Sequence, residues 1–587
     1  MSLPMIMTRL KAAFSLTFAV VLSTTPLMAE TMVNPEHAKH AMVAAVQIDA
    51  SKVGVEIMKQ GGNAVDAAVA TGFALAVTHS AAGNIGGGGF MLIRMANGES
   101  HFIDYREKAP AKATHDMYLD AQGNVLPDAS LVGYKANGVP GSVAGMVYAE
   151  KHFGKLTLQQ VMAPAIRLAR DGFALSFEDA MGFRDENLTK FPESRRIFQR
   201  DGKFYEPGDV FKQPELAKTL ERIAENPDDF YKGAMAKEIA ADQAKGGGLI
   251  TAEDLAAYEV KDRPVIRGTY RNYQVLSAPP PSSGGIALVE ALNILEGYDL
   301  GKLGNRSAAA MHLTLEAYRR AFYDRAEFLG DPDFSKIPVA QLIDKHYGVA
   351  WRKSIDEQHA TPSNEVKRPV GFAQLDQYAV LHPPATNVYE PEDTTHYSVV
   401  DNAGNAVAVT TTLNGGFGNY VTVSGLGFLL NNEMDDFSSK PGVPNQYGLI
   451  QGEANAIGPG KRPLSAMTPT IVLKDGKLFM VLGSPGGPRI ITTVANILMG
   501  VVDYGLNIQQ SVNAPRYHNQ WLPDLEYLEP GFSPDTRAAL VKMGHHIAKE
   551  EEDWGYWSDG ECILVDPLSG ERQGASDGRN NGHAVGY

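Results

Sequence analysis

Cysteine is almost absent: Cys562 is the only one in 587 residues. That excludes an internal disulfide framework, a thiolate metal cluster and a lipid-attachment cysteine near the N-terminus. Cys562 lies in GECILVDP, an apolar strand pattern, and reads as a buried small residue rather than a catalyst. No stretch reaches the roughly 20 apolar residues that a membrane span needs. Net positive charge is also missing: the formal charge is -15, so no overall basic field draws in nucleic acid. Common catalytic signatures fail as well. There is no H-E-x-x-H, and the 15 histidines show no paired ligand spacing, so neither a catalytic metal nor a cofactor is expected. GNIGGGGF (83–90) is neither a dinucleotide nor a P-loop fingerprint and reads as backbone passing close to another segment. GSPGG (483–487) is not the G-x-S-x-G elbow, because Pro485 follows the serine.

What remains is an ordinary globular composition, 44% hydrophobic and 21% charged. The length suits several domain-sized units or one large layered body. Arg9 and Lys11 precede the apolar run Ala12 to Leu22, with small Ala29 at a plausible cleavage point. This is the layout of a secretory signal peptide over 1–29, and it points to a bacterial periplasmic or secreted protein.

The first large part is mixed but helix-rich. Residues 53–80 alternate helix formers around a break at Gly61-Gly62. Leu288, Ala291, Leu292 and Leu295 fall at i, i+3, i+4 and i+7, and Gly297 marks the end of that helix. Met311, Leu315, Tyr318 and Phe322 repeat the pattern. The last part changes character. YSVVD-NAGN-AVAVTTTL, TPTIVLKDGKLFMVL and CILVDPLSGERQGASD each read as a hairpin. Pro-rich, polar stretches between about 360 and 394 separate the two parts. Hairpin sets and amphipathic helices need mutual cover, which predicts an α+β body of sheet packed on sheet with helices outside.

PEDTTHYSVVD (391–401) can be read in two ways. Thr394 and Thr395 suit the start of a strand; alternatively the chain is cut before Thr394, which becomes a nucleophile. Elsewhere Arg106 offers a fork suited to a carboxylate, against a default reading as a surface salt bridge. Glu433, Asp435 and Asp436 follow the apolar run GLGFLL and must be paired or line a polar pocket. Ser465 lies in KRPLSAM. Gly486 and Gly487 could present free N–H groups as an oxyanion hole.

Six segments occur in order: DYRE.AP (104–110), PPPSSGG (279–285), TTHYSVVD (394–401), LLNNEMDDFSSKPGVPN (429–445), GPGKRPLSAMTPT (458–470) and GSPGG.RI (483–490). Together they resemble the γ-glutamyltranspeptidase family of the Ntn-hydrolase superfamily, from about residue 34 to the C-terminus. The resemblance implies a four-layer αββα sandwich made as an inactive precursor. That precursor cuts itself at Asp393–Thr394 into 30–393 and 394–587, which stay together as a heterodimer. It implies that Thr394 is the nucleophile, with its own α-amine as base. Thr412 would tune it, and Gly486 and Gly487 would supply the oxyanion N–H pair. Arg106 and Ser465 would hold the substrate α-carboxylate; Asn414, Glu433 and Asp436 would hold its α-ammonium. Tyr447, in the lid-like SSKPGVPNQYG (438–448), would gate the pocket. The implied partners are glutathione and other γ-glutamyl donors, with water, amino acids or peptides as acceptors. Two departures stand out: Ala466 replaces the usual second serine, and Glu433 stands where many bacterial members have Gln. A glutaryl- or cephalosporin-type acylase of the same superfamily is the alternative.

Overall fold

The computed structural model describes residues 33–372, 392–549 and 557–587. The expected leader and residues 373–391 of the connecting stretch lie outside them. Fourteen strands build two large sheets. In chain order they are β1 (Glu36–Ala38), β2 (Met42–Ala45), β3 (Gly88–Arg94), β4 (Ser100–Asp104), β5 (Lys261–Arg263), β6 (Ile266–Tyr270), β7 (Tyr273–Ser277), β8 (Glu392–Val400), β9 (Ala406–Gly415), β10 (Thr470–Lys474), β11 (Lys477–Leu482), β12 (Cys562–Val565), β13 (Arg572–Ala575) and β14 (His583–Gly586). One sheet runs β1-β13-β12-β11-β10-β7-β6 and the other β14-β2-β8-β9-β3-β4-β5. Their pairings are antiparallel. The three expected hairpins are β8–β9, β10–β11 and β12–β13, and Asp475-Gly476 forms the tight turn of the second.

Strand alternation sorts the apolar residues into three cores. Phe90 and Leu92 of β3, Ala406 and Ala408 of β9, Ile471 and Leu473 of β10 and Val481 of β11 meet between the sheets. Met91, Ile93, Val407 and Val409 point the other way, into a core shared with helices α1 (Ile48–Lys59), α2 (Ala64–Thr78) and α3 (Leu158–Asp171). Val472, Met480 and Leu482 point into a third core with α4 (Gly284–Leu295), α5 (Ala308–Phe328) and α6 (Arg489–Val502). Three apolar interfaces between four layers make the αββα sandwich. No helix among the described residues is long and apolar enough to cross a membrane.

Local signals fix the elements that matter for the site. The break at Gly61-Gly62 separates α1 from α2, and Asn63 caps α2 by accepting from the N–H groups of Val65 and Asp66. Asp401 locks the β8–β9 turn, accepting from the N–H groups of Ala403 and Asn405, and also accepts from Ala64 N–H at the start of α2. The closed end of that hairpin is thereby tied down. Its open end carries Thr394. The glycine run packs as expected: a Cβ at Gly87 would come within 2.1 Å of Thr412 O, and one at Gly86 within 2.1 Å of Leu429 O.

Leu92 is fully buried between the sheets. Leu92→Ala leaves a cavity there and is expected to cost about 2–5 kcal/mol, read as a lowered midpoint of denaturant unfolding.

Candidate active site

Thr394 sits near the start of β8, directly opposite Thr412 of β9, and their hydroxyl oxygens are 3.1 Å apart. Between the pairs Glu392↔Gly415 and Thr394↔Thr412 the register slips, with β9 holding one extra residue. That bulge contains Asn414, whose backbone has φ +80°, a conformation asparagine tolerates better than most residues. Its N–H donates to Thr412 Oγ1 at 2.8 Å. Its side-chain amide donates to Asn432 O at 3.0 Å, which aims Oδ1 at Tyr447. Tyr447 Oη donates to that Oδ1 at 2.6 Å, closing over the hairpin end.

The wall facing Thr394 comes from β11 and α6. After Leu482 the chain turns through Gly483 to Gly487 and enters α6 at Arg489. The segment is therefore a strand-to-helix turn rather than a hairpin end. Gly486 has φ +118° and Gly487 +47°. A Cβ at Gly486 would come within 2.2 Å of Ser558 Oγ, so both conformation and space require glycine. Among the described residues neither glycine N–H has a protein acceptor, and both precede a helix N-terminus with its positive dipole end.

The third wall is charged. Arg106, buried just after β4, forms ion pairs through Nη1 with Glu433 and through Nη2 with Asp436. Glu107 lies 3.8 Å from Nη1. Burial alone would lower the Arg106 guanidinium, but Glu433, Asp436 and Glu107 hold it above the ordinary arginine range. The acids respond in the opposite sense. Burial raises Glu433 well above the usual carboxylate range, Arg106 pulls it down, and Glu107 and Asp436 push it up again. Glu107 is pushed up to about 7, chiefly by burial, against the pull of Arg106. Glu107 and Glu433, beside one guanidinium, therefore titrate as a unit. Asp435 turns away, accepting from Ser130 Oγ at 2.6 Å and Gln446 N–H at 3.2 Å.

A strap over 464–467 closes the fourth side. Ser465 Oγ accepts from Met467 N–H at 3.0 Å, and the strap is held by Ser282 and Ser283 of PPPSSGG. Ser282 Oγ donates to Met467 O at 2.6 Å and Ser283 Oγ to Ser465 O at 2.7 Å. Nine of the ten expected site residues line one cavity: Arg106, Thr394, Thr412, Asn414, Glu433, Asp436, Tyr447, Ser465 and Gly487. Gly486 sits one residue behind its wall. His396 is not part of it. Its ring bonds Thr410 and Ser398, and burial lowers it to about 3, too weak a base to serve Thr394.

Residues 50–587 match the model of the family described as Gamma-glutamyltranspeptidase. The chain belongs to the γ-glutamyltranspeptidase family. A glutathione hydrolase proenzyme of Escherichia coli (strain K12) is 52% identical over 555 residues, covering 94% of this chain and 92% of that protein. A Helicobacter pylori γ-glutamyltranspeptidase structure matches 55% of this chain and 94% of its own at 46% identity, with a TM-score of 0.55. A cephalosporin acylase structure from Bacillus halodurans matches 97% of this chain and 99% of its own at 28% identity, with a TM-score of 0.80.

Within this γ-glutamyltranspeptidase-family site, sequence reasoning missed Arg325, which also lines the cavity. Its helix reads as core from Met311, Leu315, Tyr318 and Phe322. The signal was a charge at the next step of that same stripe, i+3 from Phe322. Ser283 was missed because its role is to hold backbone.

A carboxyl raised from about 4.5 to about 7 binds more protons folded than unfolded across that window. Its contribution to stability therefore falls as pH rises from 4.5 to 7 and is flat above. Glu107→Gln is expected to flatten that slope and to stabilise the fold at pH 8, read from unfolding midpoints against pH for both proteins.

Proposed function

We propose that this protein transfers and hydrolyses γ-glutamyl groups, with glutathione among its donors, through an ester on Thr394. The observation that carries the reading is Thr394 Oγ1, 3.1 Å from Thr412 Oγ1, lining a cavity that also bears cationic and anionic groups. In this reading the precursor cuts itself at Asp393–Thr394, leaving 30–393 and 394–587 associated. The interleaved sheets support that association: β8 pairs with β2, β9 with β3, and β10 with β7, each ladder joining the two pieces. Cleavage would free the Thr394 α-amine, whose ordinary pKa of about 7.7–8.0 suits a base near neutral pH.

The chemistry then follows from the groups at hand. The amine takes the hydroxyl proton of Thr394 while Oγ1 attacks the γ-carbonyl carbon. Negative charge on the carbonyl oxygen falls to the N–H groups of Gly486 and Gly487. The intermediate collapses, the C–N bond breaks, and the leaving amine takes the proton back. Water or an acceptor amine then attacks the ester by the same sequence in reverse roles. Thr412 orients the nucleophile. Arg106 and Ser465 take the α-carboxylate; Asn414, Glu433 and Asp436 take the α-ammonium. Asn414 Oδ1 accepts from Tyr447 and keeps a second lone pair for an ammonium, and Tyr447 brings 438–448 over the cavity as its lid. Removal of 1–29 would deliver the enzyme to the periplasm or the medium. Relatives named glutathione hydrolase proenzyme support both substrate and processing.

Thr394→Ala is expected to abolish cleavage and turnover together. A denaturing gel would show one band instead of two unequal ones, and N-terminal sequencing of the smaller wild-type band would read Thr-Thr-His. The acylase alternative draws on the Bacillus halodurans likeness, but it gives no role to Asp436 and Asn414 as ammonium acceptors. Release from γ-glutamyl-p-nitroanilide is expected to exceed release from glutaryl-p-nitroanilide; preference for glutaryl would favour the acylase.

A further inference from the structure

Arg325 is only 2% exposed, yet no carboxylate lies within ion-pairing distance among the described residues. Its neighbours on α5 are treated differently. Arg319 pairs with Glu316, Asp524 and Glu526, and Arg320 with Glu316. Arg325 Nε donates to Ser283 Oγ at 3.0 Å, and that hydroxyl in turn donates to Ser465 O at 2.7 Å. Nη1 has no hydrogen-bond partner. Burial lowers the group to about 10, with Asp436 the opposing influence, so it remains a cation at neutral pH. A buried guanidinium with an unmade hydrogen bond is costly. Here it lines the cavity that holds Thr394.

Arg106 cannot supply the whole carboxylate site. Its Nη groups already hold Glu433 and Asp436, and Nε donates to Pro463 O at 3.3 Å. Ser465 Oγ accepts from Met467 N–H and keeps a single O–H to donate, and Ala466 offers no hydroxyl. The cavity lining holds two guanidinium groups, Arg106 and Arg325, and two carboxyl groups, Glu433 and Asp436, with both acids in contact with Arg106 alone. A zwitterionic head brings one group of each sign to that lining.

We propose that Arg325 is a substrate-binding residue whose guanidinium receives the α-carboxylate of the γ-glutamyl donor beside Arg106, in a cavity where Ala466 has no hydroxyl to give. The inference rests on the γ-glutamyl reading above. It makes Arg325 a determinant of specificity for donors with a free α-carboxylate.

The test uses the full-length, processed protein and two donors with one leaving group: γ-glutamyl-p-nitroanilide, and 4-aminobutyryl-p-nitroanilide, which keeps the ammonium and lacks the carboxylate. Loss of one charge-assisted hydrogen bond predicts that Arg325→Met raises KM for the γ-glutamyl donor about 10- to 150-fold with little change in kcat. Turnover of the 4-aminobutyryl donor should hold or rise, so the preference between donors collapses. Arg325→Lys should recover part of the KM, and Ala466→Ser added to Arg325→Met should recover part by restoring a hydroxyl donor. If Arg325→Met gives no two-band folded product, Arg325→Lys carries the test, because its single unforked cation must still narrow the preference. A KM unchanged by either variant, or a fall in kcat shared equally by both donors, overturns the proposal and leaves Arg325 a packing residue. Wild-type protein that turns over neither donor would instead sink the γ-glutamyl reading itself.

Discussion

The pairing of Glu392–Val400 with Ala406–Gly415 is the constraint on which the site depends. It sits in the middle of its sheet, with β2 on one side and β3 on the other. Buried on both faces, it cannot shift by one residue without exchanging Val407 and Val409 for Ala406 and Ala408 against the helices. Its closed end is held by Asp401 and the start of α2. The register that results places Thr394 opposite Thr412, and the bulge one step further turns Asn414 inward. As the proposed nucleophile, Thr394 would be positioned by a central ladder and need no flexible loop to present it, which is the rigidity that near-attack geometry demands.

The second organising fact is electrostatic. Arg106, Glu107, Glu433, Asp436 and Arg325 are all buried or nearly so, in a protein whose surface could have solvated them. Desolvating charges is expensive unless they are paired, and here the pairing is incomplete in a patterned way. Burial lifts Glu107 and Glu433 against the pull of the one guanidinium they share, and burial lowers Arg325, which has no acid in contact among the described residues. A set tuned only for stability would place Arg325 against Glu107. Arg325 and the Arg106–Glu433–Asp436 cluster line the same cavity, so groups of both signs face whatever occupies it.

Much of the layout was legible in the sequence because it rests on local rules. The Gly61-Gly62 break, the apolar stripe of α4 ending at Gly297 and the Asp475-Gly476 turn each announce themselves within a few residues. The site was legible by a different route. Thr394, Arg106, Glu433, Ser465 and Gly487 lie on five separated segments, and no local property of any one distinguishes it from a strand start, a surface ion pair or a polar loop. Only the ordered set carried the reading. What escaped was whatever works through a neighbour or through burial. Arg106 reads as waiting for a ligand, while the fold sets it directly against the acids expected to bind the ammonium. Ser283 acts on the backbone of Ser465, and Arg325 is hidden by the apolar stripe on which it falls.

The interleaving of the two parts gives the cut its physical sense. Each sheet contains strands from both sides of Asp393–Thr394, so the sheets are completed only when the whole chain folds together. Two separately made pieces would each present long unpaired strand edges and exposed apolar faces, the features that drive aggregation. A single chain avoids this by making the β8–β2 and β9–β3 ladders intramolecular, with closure entropy that grows only slowly with the length of the connection. Once the ladders and three cores are in place, the connection before Thr394 no longer holds the halves together. Under the proposed cut, its loss would convert a backbone amide, which is no base, into an amine beside the hydroxyl that the central ladder has aligned with Thr412.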